Sequence, residues 1–467
     1  MSSLQSSRSL LHDAEICDPP APPIQRPQPA QLTGLVGSRN GSRFGQTRQF
    51  AFSSEPLNRE QQLCQSVLIT LCESLPQSCS QFEGLSPAQW QRLLLWLDYH
   101  GLALYFYDRL ARMDSLDVIP TSVSIAFDRR LQENALRTCS LTAESIAIQR
   151  EFQDAGLRYA LLKGLSLWPN SFSCPELRSQ FDLDFLVAKR DLPAAKTILE
   201  LRGYRLYAVS GRSWEFKRNE RPHFALRDLY RDTNSWRVEL HTEPDGESHF
   251  SLLERLEWRD LSGFVMPTLS PFDLFLGHGL HVCKHICAEF CRAAHLLEFR
   301  QHILFHRNDR AFWETLQQLA SENPQSALRL GTVTLLIAQV MGDFAPEALT
   351  RWTVDPLPAS VRLWIQMYGH RAVLGSFPGS KLYLLLQREL EAQGVPAKRP
   401  LRQSLIPSSL PPPIIRAFPG ERLSVRLGRY RMQLALILDR LRFHLVQGIR
   451  FAWESGRWRR QLSRVAR

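Results

Sequence analysis

From Gln61 to about Asp154 the apolar residues recur at intervals of three and four, as in Trp90, Leu93, Leu94 and Leu97. Ser86-Pro87 supplies a cap followed by proline in the first helical position, so the pattern predicts a helical region. The period changes after Gly156. Tyr159–Leu162 is a short apolar run, and Gln180–Val187 alternates apolar and polar residues among β-formers; both predict strands. Asp191 then caps a helix with Pro193 in its first turn and Gly203 just past its end. Two further alternating runs, His223–Leu229 and Trp236–His241, flank the turn-rich segment Arg231–Ser235 and read as a hairpin. From about Ser270 to Gly394 the helical period returns.

Six segments follow from this pattern. Residues 1–60, rich in Ser, Gln, Arg and Pro, cannot close a core and read as a disordered tail. A helical region (61–154), an α/β (α+β) core with a small mixed sheet (155–250) and a second helical domain (251–395) come next. A proline-rich linker (396–420) leads to a basic amphipathic helix (421–467).

Charge and cysteine content narrow the setting. The chain of 467 residues carries a net charge of +11, but sixteen lysines and arginines against three acids follow Pro396; that stretch holds +13 and the rest −2. The positive field therefore belongs to the tail, and a nearly neutral body argues against a nucleic-acid binder as a whole. Nine cysteines at irregular spacing form neither a disulfide framework nor a zinc ribbon, and reduced thiols are expected. No apolar stretch is long enough for a membrane span or a secretory signal, so the expected location is the cytoplasm, with attachment to the inner face of the membrane as the variant the basic tail allows.

The chemistry concentrates in the predicted strands. Residues two apart on a strand share a face, so Asp182 and Asp184 in Phe-Asp-Leu-Asp present paired carboxylates while Leu183, Phe185 and Val187 face the core. Two adjacent carboxylates repel unless a cation sits between them, and magnesium (or manganese) takes such hard oxygen ligands. Upstream, Lys163-Gly164-Leu165-Ser166 follows a strand and precedes what reads as a helix, where backbone N–H groups favour a phosphate. Downstream, Val238-Glu-Leu-His241 supplies a third carboxylate, Glu239, and on the same face His241, which suits either a phosphate or acceptor contact or a structural hydrogen bond.

Together these features resemble the nucleotidyltransferase (polymerase beta-like) superfamily: a glycine–serine loop after the first strand, an acid–apolar–acid pair, and a third acid on a later strand. More closely, Leu162-Lys-Gly164, Arg178, Asp182-Leu-Asp184, Gly203-Tyr204 and Glu239-Leu-His241 resemble a bacterial branch known as an uncharacterised nucleotidyltransferase family, over roughly residues 90–300. Phe181 stands where that branch has a small residue. The resemblance implies in-line attack of an acceptor hydroxyl on the α-phosphate of a nucleoside triphosphate. Asp182, Asp184 and Glu239 would hold the metal, and Lys163, Gly164, Ser166, Arg178 and His241 would contact the nucleotide. Lys163 and Arg178 could equally pair with nearby carboxylates. The acceptor is not identified. A scaffold that has lost turnover and a membrane-peripheral component of a surface-polysaccharide pathway are the rival readings.

Two other signals remain. In the run from His278 to His295, His278, His281 and His285 share a helical face and Cys283, Cys287 and Cys291 the opposite one; the intervening residues lack the glutamate of a hydrolytic zinc helix, so packing against the active site is the expected role of His281 and His285. In the last helix Leu423, Leu427, Tyr430, Leu434, Ile437, Leu441 and Leu445 form an apolar stripe opposite several arginines. Its partner could be the chain's own helices or a coiled-coil mate, an anionic membrane surface, or RNA, the last two suited by Trp453 and Trp458.

Overall fold

Strand-forming alternation and helical periodicity meet around one mixed sheet. A computed structural model describes residues 56–72, 76–218, 226–232, 237–243, 251–261, 263–397, 399–406 and 422–465. Most of the expected N-terminal tail and much of the proline-rich linker lie outside the described residues.

The sheet has seven strands in the order β3-β4-β5-β2-β1-β7-β6. They are β1 (Tyr159–Leu162), β2 (Asp182–Val187), β3 (Arg205–Ser210), β4 (Ser213–Lys217), β5 (Arg237–His241), β6 (Leu256–Leu261) and β7 (Phe264–Leu269). The pairs β2–β5 and β1–β7 are parallel, and the other neighbours are antiparallel. The chain is thus a mixed α/β protein, as the pattern predicted.

Both faces of the sheet are covered. Leu161, Leu183, Phe185, Val187, Val238 and Leu240 pack with Leu141, Ile148 and Phe152 of the long helix Thr121–Asp154 and with Ala195 and Leu199 of the helix Leu192–Leu201. Each such fully buried side chain contributes about 1.5–3 kcal/mol. Ala160 and Leu186, on the opposite face, join Phe172, Leu269 and Leu274. That second face also carries Asp182, Asp184, Glu239 and His241, because side chains alternate along a strand.

Three expectations need correction. The run His223–Leu229 is not the strand partner of β5: of its described residues, Leu226–Asp228 form a single 3₁₀ turn, and β5 pairs instead with β4. The hairpin is β3–β4, turned at Gly211 with φ of +58°. Its alternation was obscured because β3 is largely exposed and mixes charged with apolar residues. Second, β6 and β7 belong to this sheet, so a core ending at residue 250 would cut through it. Third, Gly164–Leu167 is one 3₁₀ turn rather than the start of a helix, and Pro169, lacking an N–H, follows closely. No helix dipole therefore points at a phosphate there.

The helical expectations fare better. Arg59–Cys72, Pro87–His100, Ala103–Arg112 and Thr121–Asp154 precede the sheet. Ser86 and Gln89 close a reciprocal capping box at the second of these. After β7, Ser270 caps the helix Pro271–Ile286 by accepting from the Asp273 N–H, and Arg255 grips Asp273 at 2.8 and 3.0 Å. Gly279 lets this helix approach its neighbours: a Cβ there would lie 2.3 Å from Leu330 Cδ2 and 2.9 Å from Phe299 Cζ.

The last helix, Leu423–Val465, runs for 43 residues and uses an unexpected face. Phe443, Phe451, Glu454 and Trp458 are buried, and Glu454 accepts from Tyr368 Oη (3.1 Å) and Arg371 Nη1 (2.8 Å). Arg440 pairs with Glu289 at 3.0 Å. Leu423, Leu427, Tyr430, Leu434, Leu441 and Leu445 of the apolar stripe are exposed. The docked face thus combines three aromatic side chains with one buried, paired carboxylate, and burial at 3% exposure keeps Trp458 from the surface. No described helix is long and apolar enough to cross a membrane.

Candidate active site

The site grows from register. Leu162 of β1 stands opposite Asp184 of β2, and Asp184 stands opposite Glu239 of β5, so the two acids lie side by side on adjacent parallel strands. His241 follows on the same face of β5. One ligating atom from each of Asp184, Glu239 and His241 falls within 4.8 Å of the others. Asp182, two residues back on β2, acts on this group through its charge.

Asp184 is 2% exposed, and both its donors converge on one oxygen: Lys163 Nζ lies 2.6 Å and His241 Nε2 2.8 Å from Oδ1. His241 Nε2 also lies 3.4 Å from Glu239 Oε2, which accepts from Ser213 Oγ at 3.3 Å. Burial alone would push the Asp184 carboxyl up, but the His241 hydrogen bond and the Lys163 charge outweigh it and hold it down at about 2. The hydrogen bond from His241 likewise lowers Glu239. Burial works against charge on His241 and Lys163, and their acidic partners reverse the balance and raise both.

Asp182 is the exception. Among the described residues no hydrogen bond or ion pair reaches its carboxylate, and burial together with the charge of Asp184 pushes it up to about 6. The charges of Lys163 and Arg178 offset only part of this, so Asp182 is the acid of the cluster with no direct partner among the described residues. A set of three acids, one of them lacking a direct partner, is the hard-oxygen donor set that fits magnesium or manganese. Asp184, Glu239 and His241 lie close enough to share one ion, with Asp182 the next acid along β2.

The loop after β1 places Lys163. Both Lys163 (φ +49°) and Gly164 (φ +42°) have positive φ, a conformation that costs a side-chain-bearing residue about 1–2 kcal/mol. A Cβ on Gly164 would sit 2.1 Å from Gln180 Nε2, so the glycine is required twice over. Gln180 Nε2 donates to the Asp182 carbonyl at 2.7 Å, which holds the amide facing Gly164 at the start of β2. Ser166 is fully buried, and its hydroxyl donates to the Lys163 carbonyl at 2.8 Å. It thus braces the loop.

Arg178 is committed to its own neighbours. Its Nε donates to Glu298 Oε1 at 3.1 Å and its Nη1 to Gln180 Oε1 at 3.0 Å, while Tyr105 Oη also donates to Glu298 at 3.0 Å. Sequence reasoning missed Glu298, Gln180 and Tyr105. It also missed Arg137 and Arg292, which lie within electrostatic reach of Asp182 from a helix and an inter-helix loop. The Arg137 guanidinium stacks 3.9 Å from the centre of the Phe181 ring. Phe181, the atypical residue before the first acid, thereby seats a cation beside the site. Only Gln180, two positions before Asp182 on the same alternating run, left a signal in the sequence.

The helix expected to pack on this site divides its histidines. His278 turns to His302, with Nδ1 atoms 3.2 Å apart, whereas His281 and His285 meet His295 of the next helix, Ala293–Phe305. His281 lies within electrostatic reach of Lys163 and Asp184. The expected cysteine stripe is broken, because the helix ends at Ile286 and leaves Cys291 beyond it. The eight cysteines among the described residues are free thiols.

Residues 86–342, more than half of the chain, match the model of a family described as uncharacterised nucleotidyltransferase. The chain belongs to this family. The match to the nucleotidyltransferase family takes in every strand of the sheet, Lys163, Arg178 and all three histidines of the His281 group, and it stops short of the C-terminal helix. No curated protein matches the chain. Among solved structures, an antigenic nucleotidyltransferase-like protein from Paracoccidioides brasiliensis is similar at 12% identity and a TM-score of 0.26, over 45% of this chain and 95% of that one.

Proposed function

We propose that this family member transfers a nucleotidyl group from a nucleoside triphosphate to an acceptor hydroxyl, with magnesium or manganese. The observation that carries the reading is the half-buried Asp182, whose carboxylate meets no direct partner among the described residues, beside the cross-strand pair Asp184–Glu239. A divalent ion bound there would supply charge neutralisation for the phosphates and acidify an acceptor hydroxyl. Lys163, held in a strained conformation at the mouth of the acids, is the chain's own group for the triphosphate. Glu239 and His241 would orient the acceptor or take its proton. Arg178 acts through Gln180 and Glu298, as a positioning residue.

A specific observation also favours a second reading, a fold that binds without transferring. Lys163 and His241 both occupy Asp184 Oδ1 and already neutralise it from within. One experiment separates the two. Transfer from each of the four α-labelled nucleoside triphosphates is measured with magnesium or manganese, in a lysate from which labelled acceptors are captured. Label incorporated by the wild type and lost in Asp182→Ala plus Asp184→Ala supports transfer. No label from a folded wild type that binds the metal favours the second reading.

A further inference from the structure

We propose that His281, His285 and His295 form a second metal site, of the zinc class, distinct from the carboxylate cluster. One ring nitrogen from each lies within 4.8 Å of the others, and His281 Nε2 and His285 Nε2 face each other at 3.1 Å. The ring centroids are 4.5 Å apart for His281–His285, 4.4 Å for His285–His295 and 5.6 Å for His281–His295. A tetrahedral zinc with bonds of about 2.0–2.1 Å separates its ligand nitrogens by about 3.3 Å, so the pair already stands near that spacing. Borderline-soft zinc is the class that three imidazoles select, as the carboxylates select magnesium.

The surroundings leave these rings few other uses. His295 Nδ1 is buried with no hydrogen-bond partner among the described residues. Burial pushes His281 down to about 2 and His285 to about 4, aided by the neighbouring cations, so the rings stay neutral, the form that binds metal. With both rings neutral, one of the two facing nitrogens must carry a proton for the other, and a metal replaces that compromise with two bonds. The position also has a structural consequence. His281 and His285 occupy one turn of the helix Pro271–Ile286 and His295 the first turn of Ala293–Phe305, so the metal would clamp the connection between them. Lys163 and Arg292 lie within electrostatic reach of His285, and a metal with three protein ligands keeps a fourth position that these cations would fill with an anion.

This site stands independently of the transfer reading. The test uses the full chain, purified without a histidine tag and refilled with zinc or cobalt(II) after chelation. The expected result is about one zinc per chain, and with cobalt the strong visible absorption of a tetrahedral site. His285→Gln and His295→Gln should each weaken zinc binding roughly tenfold or more, while Asp184→Asn plus Glu239→Gln retains it. The cobalt spectrum of the wild type decides the matter even if a histidine variant fails to fold. The proposal is overturned if the wild type takes up no zinc or cobalt. It is equally overturned if folded histidine variants bind as the wild type does, or if the carboxylate variant is the one that loses the metal.

Discussion

Replacing Asp182 by asparagine should make the metal-free protein more stable. Its carboxylate has no direct partner among the described residues, and burial beside Asp184 raises it from an ordinary 3.8 to about 6. At about 1.4 kcal/mol per pH unit, the ionised side chain costs the fold roughly 3 kcal/mol at neutral pH. The sign follows from linkage. Between pH 4 and 6 the folded chain binds this proton and the unfolded chain does not, so wild-type stability falls as pH rises through that window and the penalty is complete above it. Asp182→Asn, which cannot ionise, escapes the penalty. Urea unfolding of both proteins in chelator should show the variant ahead by roughly 3 kcal/mol at pH 7 to 8, with the gap closing towards pH 4. Millimolar magnesium should stabilise the wild type more than the variant, because binding to the folded state alone adds stability. A variant no more stable than wild type at pH 7, or an advantage that does not change between pH 4 and 8, would refute the account of Asp182 as an only partly compensated charge.

Other expectations follow from the same geometry. Asp184 behaves oppositely: its carboxyl is held at about 2, so its contribution is present above pH 4 and lost as pH falls through 2, and Asp184→Asn should remove that acid-range dependence from the stability profile. Glu298→Ala leaves Arg178 and Tyr105 without their shared acceptor in the interior and should cost about 3–5 kcal/mol in denaturant unfolding. Gly164→Ala places a methyl group on the Gln180 amide at a positive φ; it should lower stability by about 1 kcal/mol or more and reduce triphosphate affinity measured by calorimetry. Glu454→Ala should loosen the C-terminal helix, seen as faster proteolysis within residues 422–465 while the sheet stays protected from hydrogen exchange.

Local pattern was sufficient to identify β1, β2 and β5, because a half-buried strand writes its two faces into alternate residues. Asp182 and Asp184 could be assigned one face of their strand from spacing alone, and Glu239 and His241 one face of theirs, and the helical regions likewise declared themselves through period and caps. Pairing could not be read in this way. That β5 lies parallel to β2, bringing Glu239 beside Asp184, depends on strands far apart in sequence, and the same long-range ordering brings β6 and β7 into a sheet that the pattern ended too early. The β3–β4 hairpin was missed because β3, largely exposed, carries little alternation. The electrostatics of the site belonged to tertiary structure almost entirely. Lys163 and His241 choose Asp184 over Asp182, Arg178 turns to Glu298 from another helix, and His295 arrives beside His281 and His285 across a loop. A residue's chemistry and its face are local properties, written in the chain; which charge finds which partner is settled only when burial removes water and leaves each group the neighbours the fold has given it.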